Sequence, residues 1–377
     1  MILNEEQQMI RDMARQFAQE RLVPNAEEWD REARFPKEAL DEMAQLGMLG
    51  MMVPPEWDGA GTDCVSYAMA LEEIAAGDGA VSAIMSVHNS VGCMPILRYG
   101  TDEQKEKYLK PFARGEMIGC FCLTEPQAGS DASALKTTAR RDGNKWVIDG
   151  AKQFITNGSS AGLAIVFAVT DPDAGKRGIS AFLVPTDSEG YIVERVEKKM
   201  GLNASDTCAL RFEGVEVTPD MMLGEEGQGY KIALSNLEGG RIGIAAQALG
   251  IAQAALNYAV EYAKDRTSMG QPIMNHQAVG FRLADGAAKL QAARQLILHA
   301  AAMKDAGIPC LTEASMAKLF ATETAETVVS DALQTFGGYG YMKDYPLERL
   351  ARDVRVTKIY EGTSDIQRML IARSLAA

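Results

Sequence analysis

Cys122-Leu123-Thr124-Glu125-Pro126-Gln127-Ala128-Gly129-Ser130-Asp131 is the stretch at which the texture of the chain changes. Before it, residues 4–115 read mostly as helices. Asn4-Glu5-Glu6-Gln7 is a helix start, and Ile10, Met13, Ala14 and Phe17 follow at the spacing of one helix face. Thr101 before Asp102-Glu103-Gln104 is a second capped start. Pro24, Pro36 and Pro54-Pro55 punctuate the block. From about Ile118 short β-rich runs take over. Cys120 and Cys122 alternate with Phe121 as strand neighbours do, and Pro126 stops that ladder because it has no N–H to donate. The runs 145–148, 164–169, 179–184, 191–193 and 209–212 follow between Gly, Asp and Asn turns. After Gly229 the texture reverts. Residues 242–263, 276–302 and 313–336 are long, proline-free and rich in Ala and Leu, as in an antiparallel bundle. The expected fold is therefore α+β and multidomain: an N-terminal helical domain over 1–117, a small β-barrel or sandwich over 118–225, and a four-helix bundle over 226–377.

Composition narrows the function. Of 377 residues, 47% are hydrophobic and 24% charged, enough for a large core and unlike a disordered chain. A formal net charge of -13 argues against binding nucleic acid or an anionic membrane. The acidic N-terminus, Met1 to Gln8, resembles neither a signal peptide nor an arginine-rich transit peptide. No run of about 18 apolar residues is counted, so no membrane span is expected and the expected location is the cytoplasm. The six cysteines form no C-x-x-C pair and read as reduced, buried thiols. The three histidines have no metal-binding spacing, so no metal is expected.

Two further segments carry chemistry. Ile359-Tyr360-Glu361-Gly362-Thr363-Ser364 sets one carboxylate between an aromatic ring and a glycine, with two hydroxyls after it. Gln334-Thr335-Phe336-Gly337-Gly338-Tyr339-Gly340 is not G-x-G-x-x-G and follows no strand, which excludes a Rossmann reading. It reads either as a helix C-terminus with a left-handed glycine or as bare backbone for a phosphate or sugar. Thr124-Glu125-Pro126 with Gly129-Ser130-Asp131 is likewise either a polar turn or a ligand-facing one.

From end to end the chain resembles the acyl-CoA dehydrogenase family. CLTEPQAGSDASA (122–134) is similar to its first signature, QTFGGYGYMKDYPLERLARD (334–353) to its second, and IYEGTSDIQ (359–367) to its catalytic segment. The resemblance implies FAD between the β domain and the C-terminal bundle. It implies cofactor contacts at Phe121, Cys122, Leu123, Thr124, Gly129 and Ser130 on the strand and its turn. Phe154, Ile155 and Thr156 match a tripeptide beside the flavin ring, with Phe where many members have Trp. Arg266 matches the arginine that meets the FAD pyrophosphate. Gln277, Gln334, Thr335, Phe336, Gly337, Gly338, Thr363, Ser364 and Asp365 match other FAD contacts, several of which a neighbouring subunit supplies. Met269 stands where relatives often carry Phe.

Dehydrogenating a thioester between Cα and Cβ removes a weakly acidic α-proton, which requires a base within hydrogen-bond reach. The resemblance puts that base at Glu361, with its own backbone N–H facing the thioester oxygen. Some branches place the base on an earlier helix immediately before an arginine. That arginine resembles Arg241, and the preceding Gly240 carries no base. Glu238, one turn before Arg241, is read first as a substrate contact, then as an Arg241 partner, and only last as a base. Ser130, Glu238, Gly239, Gly240, Arg241, Tyr360 and Gly362 are the expected substrate contacts. The segments 84–91 and 238–245 look most like short-chain members, and Met85 and Met94 are candidate plugs of the acyl pocket. Acyl chains of about four carbons are expected, with branched short chains as the nearest rival. Ser82 cannot pair with a distal carboxylate, which disfavours a glutaryl substrate. The expected partners are acyl-CoA, electron-transfer flavoprotein and further copies in a homotetramer built as a dimer of dimers. The alternatives are an acyl-CoA oxidase, or a non-catalytic assembly relative of the same fold.

Overall fold

The structure, a computed structural model, describes the backbone of residues 1–376 and, among them, every side chain but that of Glu238. Helices α1 (Glu5–Phe17), α2 (Ala26–Glu32), α3 (Lys37–Gln45), α4 (Cys64–Gly77), α5 (Gly79–Val87), α6 (Met94–Tyr99), α7 (Asp102–Gln104) and α8 (Lys110–Ala113) come first. Local chemistry starts them where the sequence places the starts. Asn4 and Gln7 form a reciprocal capping box on α1, and Thr101 and Gln104 form another on α7.

Strands β1 (Gly119–Cys122), β2 (Thr138–Asp142), β3 (Lys145–Thr156), β4 (Leu163–Val169), β5 (Ile179–Pro185), β6 (Tyr191–Val196), β7 (Thr207–Val217) and β8 (Met222–Leu223) follow. They form one sheet in the order β6-β7-β3-β2-β4-β5-β8, with β1 parallel to β4. β4 and β5 are apolar along nearly their whole length because both faces are covered. Ala164, Val166 and Ala168 join Trp146, Ile148, Phe182 and Phe212 in an interior around which the sheet curls. Leu163, Ile165 and Phe167 on the other face pack under Ile96, Leu109, Phe112 and Ile232 of the helices. Cys120 and Cys122 do point the same way, their sulfurs 3.7 Å apart in that interior.

The C-terminal helices are α9 (Gly229–Asp265), α10 (Gln277–Asp305), α11 (Leu311–Phe336), α12 (Leu347–Val354) and α13 (Ser364–Leu375). A two-stranded hairpin, Thr267–Ser268 with Gln271–Pro272, joins α9 to α10 and carries Met269 at its exposed tip. The helices on either side of the strands in sequence share one core. Ala68, Leu71, Ile74 and Ala75 of α4 lie in the same buried cluster as Leu249, Ala252 and Leu256 of α9 and Ala317 and Ala321 of α11. The N-terminal helices thus bury their apolar faces against the C-terminal ones.

One expectation needs correction. Helix α9 begins at Gly229 and is 37 residues long, so it starts well before residue 242, where the alanine- and leucine-rich run begins. The segment Gly79–Tyr99, 21 residues with mean hydropathy 1.3, is long and apolar enough on average to pass for a membrane span, although Ser82, Ser86, His88, Asn89 and Ser90 interrupt it. Its most apolar window is 83% buried inside the protein, which accounts for that composition.

The strand block is tied to the helices at a short loop. Leu202 N donates to Asp353 Oδ1 of α12 at 2.6 Å, and Asn203 Nδ2 donates to Asp30 Oδ1 of α2 at 2.8 Å. Arg352 closes the link with a 2.6 Å bond to Asp30 Oδ2.

Candidate active site

Glu361 sits in the loop between α12 and α13. Its φ is +50°, followed by Gly362 at +89°. A left-handed glutamate costs on the order of 1–3 kcal/mol and persists only where the surroundings hold it. Here they do. Lys318 Nζ, from α11, donates to Tyr360 O at 2.8 Å and to Gly362 O at 2.6 Å. Gln367 Nε2 donates to Gly362 O at 2.9 Å. The Tyr360 hydroxyl bonds Gln247 Oε1 of α9. Thr363 caps α13, its Oγ1 accepting from Ile366 N at 3.3 Å.

The carboxylate lies against α9 at Gly240. A Cβ added at 240 would stand 1.8 Å from Glu361 Oε2, and one added at 239 would stand 2.5 Å from Lys304 Nζ. Any side chain at 240 would therefore push the carboxylate from its present position. Glu361 keeps some exposed surface, yet its Oε2 is shielded from solvent and accepts no hydrogen bond among the described residues. Burial pushes the carboxyl up to about 7, against the opposing pull of the Lys318 and Arg241 cations. Arg241 is buried on α9 one residue beyond Gly240. Glu238 lies one turn earlier, and its side chain is outside the described residues. Gly240→Ala is expected to displace the carboxylate rather than unfold the helix. Turnover should fall by roughly 10²-fold at near-constant melting temperature, as steady-state kinetics and a thermal melt would show.

The turn after β1 is built on a buried ion pair. Lys152 of β3 donates to Glu125 Oε1 at 2.8 Å, to Phe167 O at 2.7 Å and to Leu123 O at 3.2 Å. The Glu125 carboxylate also accepts from Lys136 N at 2.7 Å and Thr137 N at 3.0 Å. Burial alone would raise the Glu125 carboxyl, but the Lys152 charge and these donors outweigh it and hold it below its ordinary range. Thr124 O accepts from Gln153 N at 2.9 Å, which sets the turn beside Phe154, Ile155 and Thr156. A register shift between Lys152 and Ile155 makes the strand bulge there. Phe154 takes φ +58° and stands 65% exposed. Cys122 and Ile155 turn their side chains into the sheet interior.

Arg266, Thr335, Phe336, Gly337 and Gly338 do come together. With Tyr262, Ser268 and Tyr339 they line an open pocket of about 520 Å³. Gly337 ends α11 with φ +62° and ψ -134°, a positive-φ backbone that favours glycine but is not the left-handed helical cap, and it has open space where a Cβ would point. Tyr262 stacks on Phe336 at 4.1 Å, and the Arg266 guanidinium lies 5.7 Å from the Tyr339 ring. Gln277 and Gln334 are exposed on α10 and α11, and Thr363, Ser364 and Asp365 open α13; none of the five lines this pocket. Gly129 and Ser130 are on the exposed turn, with nothing near the Cβ position of Gly129.

Sequence reasoning missed the two buried lysines. A signal existed for each. Lys318 interrupts the apolar stripe Ala314, Ala317, Ala321 and Ala325 of α11, and Lys152 falls on the inward parity of Trp146 and Ile148 in β3.

Comparison with known proteins agrees with this arrangement along the whole chain. Residues 4–116, 120–215 and 227–376 match the N-terminal, middle and C-terminal domains of acyl-CoA dehydrogenase. The chain is 49% identical to a mitochondrial short-chain specific acyl-CoA dehydrogenase of Bos taurus, covering 99% of this chain and 90% of that one. A solved structure of butyryl-CoA dehydrogenase from Megasphaera elsdenii superposes with a TM-score of 0.98 at 42% identity over 100% of both chains. A chain from a structure of the electron transferring flavoprotein of Acidaminococcus fermentans gives a TM-score of 0.98 at 46% identity, covering 99% of this chain and 98% of that one. Fold and site define a flavin-dependent oxidoreductase. The chain belongs to the acyl-CoA dehydrogenase family.

Proposed function

We propose that this protein is an FAD-dependent dehydrogenase that converts a short-chain acyl-CoA thioester to its trans-2-enoyl-CoA, with Glu361 as the α-proton base. The observation that carries the reading is the Glu361 carboxyl itself: held in a left-handed turn, pressed on Gly240 and poised near 7 by burial. A base with that midpoint is largely ionised at slightly alkaline pH and still basic enough to take a weakly acidic proton.

The residues present fit FAD. Phe154 offers an exposed aromatic face, Arg266 an exposed guanidinium for a pyrophosphate, and Gly129, Gly337 and Gly338 offer open backbone for close approach. The remaining contacts are Phe121 to Thr124, Ser130, Ile155, Thr156, Gln277, Gln334 to Phe336 and Thr363 to Asp365. FAD, when bound, supplies acceptance of the β-hydride. The chain's own residues do the rest. Glu361 takes the α-proton, and its backbone N–H stabilises the thioester oxygen as charge gathers there. Tyr360, Gly362, Gly239, Gly240, Arg241, Glu238 and Ser130 flank the substrate.

Short acyl chains suit the buried Met85 and are what the two named dehydrogenases act on. Electron-transfer flavoprotein is the natural electron acceptor, given the third structure. Apolar side chains left exposed on the C-terminal helices, among them Phe281, Phe320 and Met369, fit burial between copies in a homotetramer. The cytoplasm is the proposed location.

The test is anaerobic titration of the holoenzyme with acyl-CoA thioesters of about three to eight carbons, straight and branched, while flavin absorbance is followed. The expected result is bleaching that is fastest with about four carbons. Air should then reoxidise the flavin slowly. Rapid peroxide formation would instead make this an oxidase, and no bleaching with any thioester would overturn the reading.

A further inference from the structure

Lys318 is a buried charge beside Glu361 that the proposed mechanism leaves unused. It is 1% exposed, on the face of α11 otherwise made of Ala314, Ala317, Ala321 and Ala325. An ammonium is unfavourable in such a place unless its N–H groups are satisfied. Its two partners are the carbonyls of Tyr360 and Gly362, one on each side of Glu361. The turn has two successive left-handed residues and no helical or strand ladder of its own. Its carbonyls must therefore find donors elsewhere. Lys318 and Gln367 are those donors.

We propose that Lys318 is the positioning residue of the Glu361 base: it pins the peptides flanking Glu361, and its charge faces the carboxylate from beneath the turn. The proposal rests on the reading of Glu361 as base. The charged and titratable groups that face Glu361 come from four elements. They are Lys318 from α11, Arg241 from α9, Tyr67 from α4, and Tyr360 from the loop itself. Burial holds both tyrosines neutral, so the two cations act against the burial of the carboxyl. Without Lys318 only the Arg241 cation of that set remains, and the carboxylate becomes harder to ionise.

The experiment compares holoenzymes of wild type, Lys318→Met, Lys318→Gln and Glu361→Gln. Flavin content, kcat and KM are measured from about pH 5.5 to 9 with butyryl-CoA and an artificial electron acceptor. Lys318→Met is expected to keep its flavin and a KM within about twofold, while kcat falls by roughly 10- to 100-fold. The acidic limb of kcat/KM should move to higher pH, because a neighbouring cation lowers a carboxyl's pKa and its loss raises it. Lys318→Gln retains a donor without the charge, so it should show the same limb shift with a smaller loss of kcat. If Lys318→Met does not accumulate as folded protein, the limb of Lys318→Gln decides. An unmoved limb in the folded variants overturns the proposal, whether or not kcat falls, since packing alone would lower kcat without shifting it. An active Glu361→Gln would overturn the base assignment and, with it, this inference. An inactive Glu361→Gln beside an unmoved Lys318 limb would sink the inference alone.

Discussion

Glu361→Gln is expected to keep its flavin and fold while turnover falls by about 10³- to 10⁴-fold. The amide has nearly the shape of the carboxyl and leaves the backbone N–H in place, so substrate should still bind and KM should change little. What it removes is the only function assigned to the side chain, acceptance of the α-proton. Because the Glu361 carboxyl is raised to about 7, wild-type kcat/KM should fall as pH drops through that region and the base protonates. The glutamine variant has no such group, so its residual rate should lose that limb. Glu238→Gln, which changes the base candidate ranked last from the sequence, should retain most of its activity. Steady-state kinetics across pH with flavin absorbance as a loading control measures all three outcomes.

Lys152→Met is expected to destabilise the protein by about 3–5 kcal/mol, the range for breaking one side of a buried ion pair. The substitution strands the Glu125 carboxylate and deprives Leu123 O and Phe167 O of their donor. Lys152→Met/Glu125→Gln should recover part of the loss, since the uncompensated charge is then gone. The pH dependence has a definite sign. Wild-type Glu125 is held below its ordinary range, so its contribution is present above its unfolded pKa and is lost as pH falls through the folded value. The stability gap between wild type and Lys152→Met should therefore narrow in acid. Denaturant titration at neutral and acidic pH tests this. Because this ion pair underlies Thr124 and Phe154, the variant should also hold FAD more weakly.

The block order of helices, strands and helices was legible in the sequence because each block has its own period and its own turn residues. The alternation of Cys120, Phe121 and Cys122 was read correctly as a strand, and the Asn4 and Thr101 caps are where their residues place them. Three things were not legible. The alanine- and leucine-rich run begins only at Ile242, yet α9 already starts at Gly229 and continues through Gly239-Gly240. Packing of α9 against α4 and α11 outweighs the entropic cost of two glycines, and the facing carboxylate would have to shift for a larger residue at 240. The shared core of the N- and C-terminal helices was hidden because periodicity gives a helix its buried face but not the partner that covers it. The lysines at 152 and 318 were passed over because lysine is ordinarily a surface residue, and only their inward position marks them. For the site, the segment around Glu361 could be found from its residues. Its left-handed turn could not, since glutamate has no general preference for that conformation.

The central question is whether Glu361 takes the α-proton. The most direct measurement is deuterium exchange at the thioester α-carbon in D2O, with the flavin first reduced by dithionite so that no hydride can leave. Wild-type holoenzyme should exchange the α-hydrogen of bound butyryl-CoA, and Glu361→Gln with full flavin content should not. Exchange at the wild-type rate in Glu361→Gln would contradict the assignment and move the base to another residue.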